Sequence, residues 1–243
     1  MLFGLFFGDW TILIVLPGFL FALFAQAKVR SAYESGARVS MPYGMTGGAL
    51  ARRLLDANGL SDVRIERVPG TLSDHYDPRE RVLRLSEGVF SGCNAAAVGV
   101  AAHEAGHAMQ DARGYVPLKL RLVLVPVTNF GSRLAMPLFL IGLLFTAFLR
   151  VSTPIASWLM LAGIAAFALS VVFQLVTLPV EFNASRRALR CLAGSGTMDE
   201  EQLFAARRVL SAAALTYVAA LATGLLSLLR LLLIFASVSS RRR

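Results

Sequence analysis

His103-Glu104-Ala105-Gly106-His107 places two histidines four positions apart with a glutamate between them, in a chain that has only three histidines. On a helix, residues i and i+4 share a face, so both imidazoles can converge on one cation. The chemistry available to such a pair is metal-assisted hydrolysis, with the intervening carboxylate as base toward a metal-bound water. Five letters alone also describe an ordinary pair of helix-surface histidines. The flanks argue otherwise: Asn94 to Ala102 is small and apolar, and Ala108-Met109-Gln110 follows. That pattern predicts a buried helix, where two imidazoles and a carboxylate are costly unless paired or metal-bound.

Catalytic zinc usually takes three protein ligands and leaves a position for water. His75 is the remaining histidine, and neither cysteine has a suitable context. Among carboxylates, Glu181 in Leu178-Pro179-Val180-Glu181-Phe182-Asn183-Ala184-Ser185-Arg186-Arg187 stands out, because it directly follows an apolar run and is expected to begin a helix after Pro179. Its bland alternative is an ion pair with Arg186 or Arg187, at spacings that are not the favourable i+4 one. One zinc per chain on His103, His107 and Glu181 is the expected cofactor arrangement.

The elements that must carry these residues are largely membrane helices. The 243-residue chain is 56% hydrophobic and 16% charged, with a mean hydropathy of +0.63. That balance predicts an integral, multi-pass membrane protein with the lipid bilayer as a partner. Four apolar runs approach the about 20 residues a bilayer needs: Trp10 to Ala27, Leu134 to Leu149, Ile155 to Val176, and Ala213 to Ala236. Ala25-Gln26-Ala27 resembles a signal cleavage site, but the segment before it holds Asp9 and no Lys or Arg, which favours a retained anchor. Arg230, inside the fourth run, is expected to snorkel to an interface or face protein. Two crossings separate His107 from Glu181, so the chain returns to its starting side and the two can meet.

The net charge of +9 could suggest nucleic acid. The arginines flank apolar runs and form no basic stripe with interleaved aromatics, so no nucleic-acid partner is expected. Thirteen basic residues lie from Lys28 to Arg121, whereas the connection between the second and third runs holds only Arg150. By the positive-inside rule, the large connections and the catalytic site face the cytoplasm, in a bacterial inner membrane; the Arg241-Arg242-Arg243 tail argues the other way. Cys93 and Cys191 show no metal spacing and are assigned no role.

Between the first two runs, Met45 to Asn58 reads as an amphipathic helix, with Thr46 as N-cap and Gly59 as stop. Val63 to Val68 and Arg81 to Ser86 alternate as half-buried strands do, on either side of a Pro69-Gly70 turn. Residues 82–86 are either a substrate-binding edge, with Leu83, Arg84 and Leu85 pairing to an extended peptide, or a plain hairpin. The expected organisation is an anchor at 1–27, an α+β region at 28–133, a transmembrane hairpin at 134–178, a helical segment at 179–212, and a final transmembrane helix with its basic tail at 213–243. The fold class is a mainly α membrane protein, with about four transmembrane helices and a small α+β catalytic domain at one membrane face.

The HExxH segment and Glu181-Phe182-Asn183-Ala184-Ser185, taken with Asp74-His75-Tyr76-Asp77-Pro78, Val82 to Ser86 and Gly99 to His103, closely resemble the YugP-like neutral zinc metallopeptidases. The resemblance covers nearly the whole chain. It implies a membrane-anchored zincin of gluzincin type, related to HtpX-like proteases, acting on protein or peptide substrates. HtpX-like enzymes carry an Asp four residues after the ligand Glu, where this chain has Ser185; Ser185 or Asn183 could orient a ligand through a hydrogen bond. Glu104 is the expected general base. His75, Tyr76 and Arg187 are candidates to stabilise the developing oxyanion, with His75 equally able to be a structural loop residue. Two rival classes are a membrane scaffold or quality-control adaptor with structural zinc, and an intramembrane protease. Intact Glu104 counts against the first, and the lack of any Asp between Asp111 and Asp199 counts against the second.

Overall fold

The computed structural model describes residues 10–71, 73–147 and 154–240. Asp9, Arg150, the Leu149 end of the second run and the Arg241–Arg243 tail lie outside the described residues. Among those described, four helices are long and apolar enough to cross a membrane: Ile12–Ala37, Val116–Thr146, Pro154–Gly194 and Glu200–Ser240. The protein is a mainly α integral membrane protein with a small sheet.

In chain order the elements are α1 (Ile12–Ala37), α2 (Gly47–Ala57), β1 (Arg64–Val68), β2 (His75–Asp77), β3 (Val82–Ser86), α3 (Glu87–Phe90), α4 (Ala95–Ala112), α5 (Val116–Ala147), α6 (Pro154–Gly194) and α7 (Glu200–Ser240). They gather into two compact units. One comprises the described residues within 1–24, 120–177 and 218–243, and the other those within 25–119 and 178–217.

All four long helices outrun the apolar segments that announce them. Helix α1 passes through Ala25–Ala27 without a break. Helix α5 starts at Val116, well before Leu134, and contains Pro126 and Pro137. Helix α6 runs unbroken through Pro179 to Gly194, so Glu181 lies inside a helix and does not open one. Proline removes one backbone donor, a loss that helices packed among other helices tolerate.

In the first unit, small residues bring helices into contact. A Cβ on Gly163 would lie 2.6 Å from the Ala135 carbonyl oxygen, and one on Gly142 would lie 2.6 Å from that of Ala156. Such close approach is the usual device of packing within lipid. Phe139, Leu143, Met160, Ile164 and Leu231 form its core. Arg230 faces protein, its Nε donating to Thr11 Oγ1 at 3.3 Å.

The second unit is built around α4. Asn94 caps that helix, its side chain accepting from Ala97 N at 2.9 Å. Thr46 caps α2 in the same way, accepting from Ala49 N at 3.1 Å, and Gly59 follows that helix at φ +72°. Leu50, Leu54, Leu55, Leu83, Leu85 and Val98 pack with the alanines of α4 into one core. Full burial of each such leucine contributes about 1.5–3 kcal/mol.

The sheet differs from the two-strand expectation. Its order is β1-β3-β2, with β1 parallel to β3 (Ile65 opposite Leu83) and β2 antiparallel to it (Tyr76 opposite Leu83). Residues 82–86 are therefore the central strand and not an edge, which corrects the edge-strand expectation that assigns Leu83, Arg84 and Leu85 to substrate binding. The physical reason is connection length. A two-residue turn joins antiparallel neighbours, whereas a parallel pair needs a crossover of a dozen or more residues. Residues 69–81 supply that crossover and carry β2 within it. Strand β1 pairs with all of 82–86 and β2 with 82–84, Leu83 and Leu85 are fully buried, and Arg84 pairs with Glu66, Asp77 and Glu80.

Candidate metal centre

Helix α4 presents His103 and His107 one turn apart, their rings edge-on with centroids 4.7 Å apart and planes at 87°. Helix α6 brings Glu181 against them. Its Oε2 lies 3.1 Å from His103 Nε2 and 3.8 Å from His107 Nε2. The three side chains offer ligand atoms that all lie within 4.8 Å of one another. A tetrahedral ion with bonds of about 2.0–2.1 Å sets its donors about 3.3–3.5 Å apart, so this N, N, O set fits zinc. The residues are deeply seated: the Glu181 side chain is 2% exposed and that of His107 11%.

Close contact between α4 and α6 depends on Gly106. A Cβ there would sit 2.6 Å from the carbonyl oxygen of Ala184, which is itself fully buried. Any side chain at 106 would push the Glu181 face of α6 away from the histidines.

Each imidazole is oriented through its far nitrogen. His103 Nδ1 lies 3.0 Å from Ser185 Oγ, and His107 Nδ1 lies 3.0 Å from Gln110 Oε1. Gln110 is fully buried, and its Nε2 donates to the Val180 carbonyl at 2.8 Å and to Asn183 Oδ1 at 3.1 Å. Since a carbonyl can only accept, the amide nitrogen of Gln110 points to α6 and its oxygen to His107. His107 then carries its proton on Nδ1 and turns the Nε2 lone pair toward Glu181. Asn183 also accepts from Arg187 Nε at 2.7 Å, which ties both residues into this network. The only sequence mark of Gln110 is its position, three residues after His107 on the same helical face.

Glu104 is held from the sheet. The backbone N–H of Tyr76 donates to Glu104 Oε2 at 3.1 Å, and the Tyr76 hydroxyl donates to Asp111 Oδ2 at 2.9 Å. Burial, and then the bond to Asp111, push the Tyr76 phenol above its ordinary pKa. Strand β2 is thus clamped to α4 at both ends of a two-turn stretch. His75, one residue earlier, is exposed, with its Nδ1 2.8 Å from the Ser73 carbonyl oxygen, and is not brought to the histidine pair.

Two likenesses to known proteins bear on this site. A family model described as "Putative neutral zinc metallopeptidase" matches residues 11–236. The chain is also 46% identical over 214 residues to a protein named "Putative membrane protease YugP" of Bacillus subtilis (strain 168), an alignment covering 88% of this chain and 91% of that one. No solved structure matches.

Proposed function

This chain belongs to the neutral zinc metallopeptidase family, and from that premise we propose that it hydrolyses peptide bonds of protein or peptide substrates at a single zinc on His103, His107 and Glu181. One observation carries the proposal. Glu181 Oε2 sits between two Nε2 atoms from a helix more than seventy residues away, in a buried pocket where such a group needs a cationic partner.

Zinc, when bound, supplies Lewis acidity and makes water nucleophilic near neutral pH. The remaining work falls to this chain. Ser185 and Gln110 hold the two imidazoles, and Tyr76 fixes one oxygen of the Glu104 carboxylate. Glu104 Oε1 takes the proton of the attacking water, and the same carboxyl passes it to the departing amine. Among the described residues the ligand set has three members with Glu104 beside it, which supports a catalytic site over a closed structural one. The excess of basic residues between Lys28 and Arg121 supports a cytoplasmic catalytic site in a bacterial inner membrane.

The test is cleavage of an unfolded protein by the detergent-purified full chain. Hydrolysis that stops with a chelator and returns with zinc is expected. Turnover indifferent to chelator would overturn the proposal.

A further inference from the structure

A cavity of about 170 Å³ adjoins His103, Glu104 and Glu181, and its far wall is mainly aliphatic. Val209, Leu210, Ala213, Ala214 and Tyr217 of α7 line it, with Val100 of α4. The α7 positions recur at i, i+1, i+4, i+5 and i+8, which is one face of the helix. Val100 stands one turn before His103, so the apolar wall begins beside the reacting centre. The two alanines make the room, while Val209 and Leu210 are each 3% exposed and give that wall a fixed shape.

We infer that this cavity is a specificity pocket for one aliphatic side chain of valine-to-leucine size on the substrate, next to the scissile bond. The inference rests on the peptidase reading above. Size supports it: the cavity is that of a single side chain, and the part bordering His103 and Glu181 serves the ion and a water. With that part taken up, the space against the α7 wall suits a branched aliphatic chain better than an aromatic ring. Lining chemistry agrees, because Val100, Val209, Leu210, Ala213 and Ala214 favour an apolar group, with the Tyr217 ring completing the wall. Asp74 also borders the cavity, but its carboxylate already accepts from Ser86 N at 2.7 Å and from Ser86 Oγ at 3.1 Å. It is held as part of the frame.

The experiment uses the full-length Glu104→Gln chain, zinc-loaded in detergent, and fluorescent Gly/Ser peptides with one variable residue: Gly, Leu, Phe or Lys. That lone residue sets the register. The Leu peptide is expected to bind at least about tenfold more tightly than the Gly peptide and ahead of Phe and Lys. Ala214→Phe fills the cavity and should abolish the Leu advantage. Leu210→Ala enlarges it and should shift preference toward Phe, so the two variants act in opposite directions. Equal binding of Leu and Gly peptides, Lys in first place, or an order unmoved by both variants would overturn the pocket. Mapping bonds cut by the unsubstituted chain in an unfolded protein separates the two ideas. Cleavage without side-chain preference removes the pocket and keeps the peptidase; an intact binding order with no cleavage keeps the pocket and removes the peptidase.

Discussion

Gln110 ties His107 to helix α6: its amide oxygen lies 3.0 Å from the ring Nδ1, while its amide nitrogen reaches the Val180 carbonyl. One side chain therefore sets the tautomer of one proposed ligand and the position of the helix that brings Glu181. Replacing Gln110 with Leu removes both functions at similar volume. Zinc affinity should fall about 10–100-fold, as for other groups that orient metal ligands, measured by competition with a chromogenic chelator. Unchanged affinity would show that the hydrogen bond is incidental.

Glu104→Gln keeps the shape of the side chain and removes the proposed base. The full chain should retain one zinc while turnover falls by about 10²–10⁴-fold. Metal analysis and a peptide-cleavage assay on the same preparation check this. Near-normal turnover would take Glu104 out of the chemistry.

Gly106→Ala places a methyl group against backbone, with no flexible side chain to give way. The cost should be about 1–3 kcal/mol, typical of overpacking, together with weaker zinc binding as α6 is displaced. Thermal unfolding with and without zinc reads both effects.

The Tyr76 phenol is raised by burial and by Asp111. A raised folded-state value means that its contribution is fully present below the ordinary phenol pKa of about 10 and is lost as pH climbs through the folded value. Stability should hold across neutral pH and fall in strong alkali, and Tyr76→Phe should flatten that fall. Titration of stability with pH for both chains decides it; identical alkaline profiles would contradict the assignment.

Much of this architecture was legible in the sequence because strong local signals agreed. Thr46 and Gly59 bracket α2 as a cap and a left-handed stop should. The four helices are announced by hydropathy, although their ends are not, since Lys119, Arg121 and Pro179 interrupt the apolar runs without interrupting the helices. The closeness of Glu181 to the histidines was legible through the count of crossings. Strand β2 was not, because three residues are too few for alternation to declare itself. Missing it turned a parallel pair into a supposed hairpin and placed β3 at an edge. Gln110 escaped for another reason: a polar residue at the end of an alanine-rich helix looks solvated until the partner helix is known to cover it.

X-ray absorption at the zinc edge of the full-length chain, with and without Glu181→Ala, tests the three-ligand centre most directly. The expected spectrum has two imidazole nitrogens and a carboxylate oxygen at about 2.0–2.2 Å, and the substitution should remove that oxygen and weaken binding sharply. An unchanged first shell and unchanged affinity in Glu181→Ala would contradict the account.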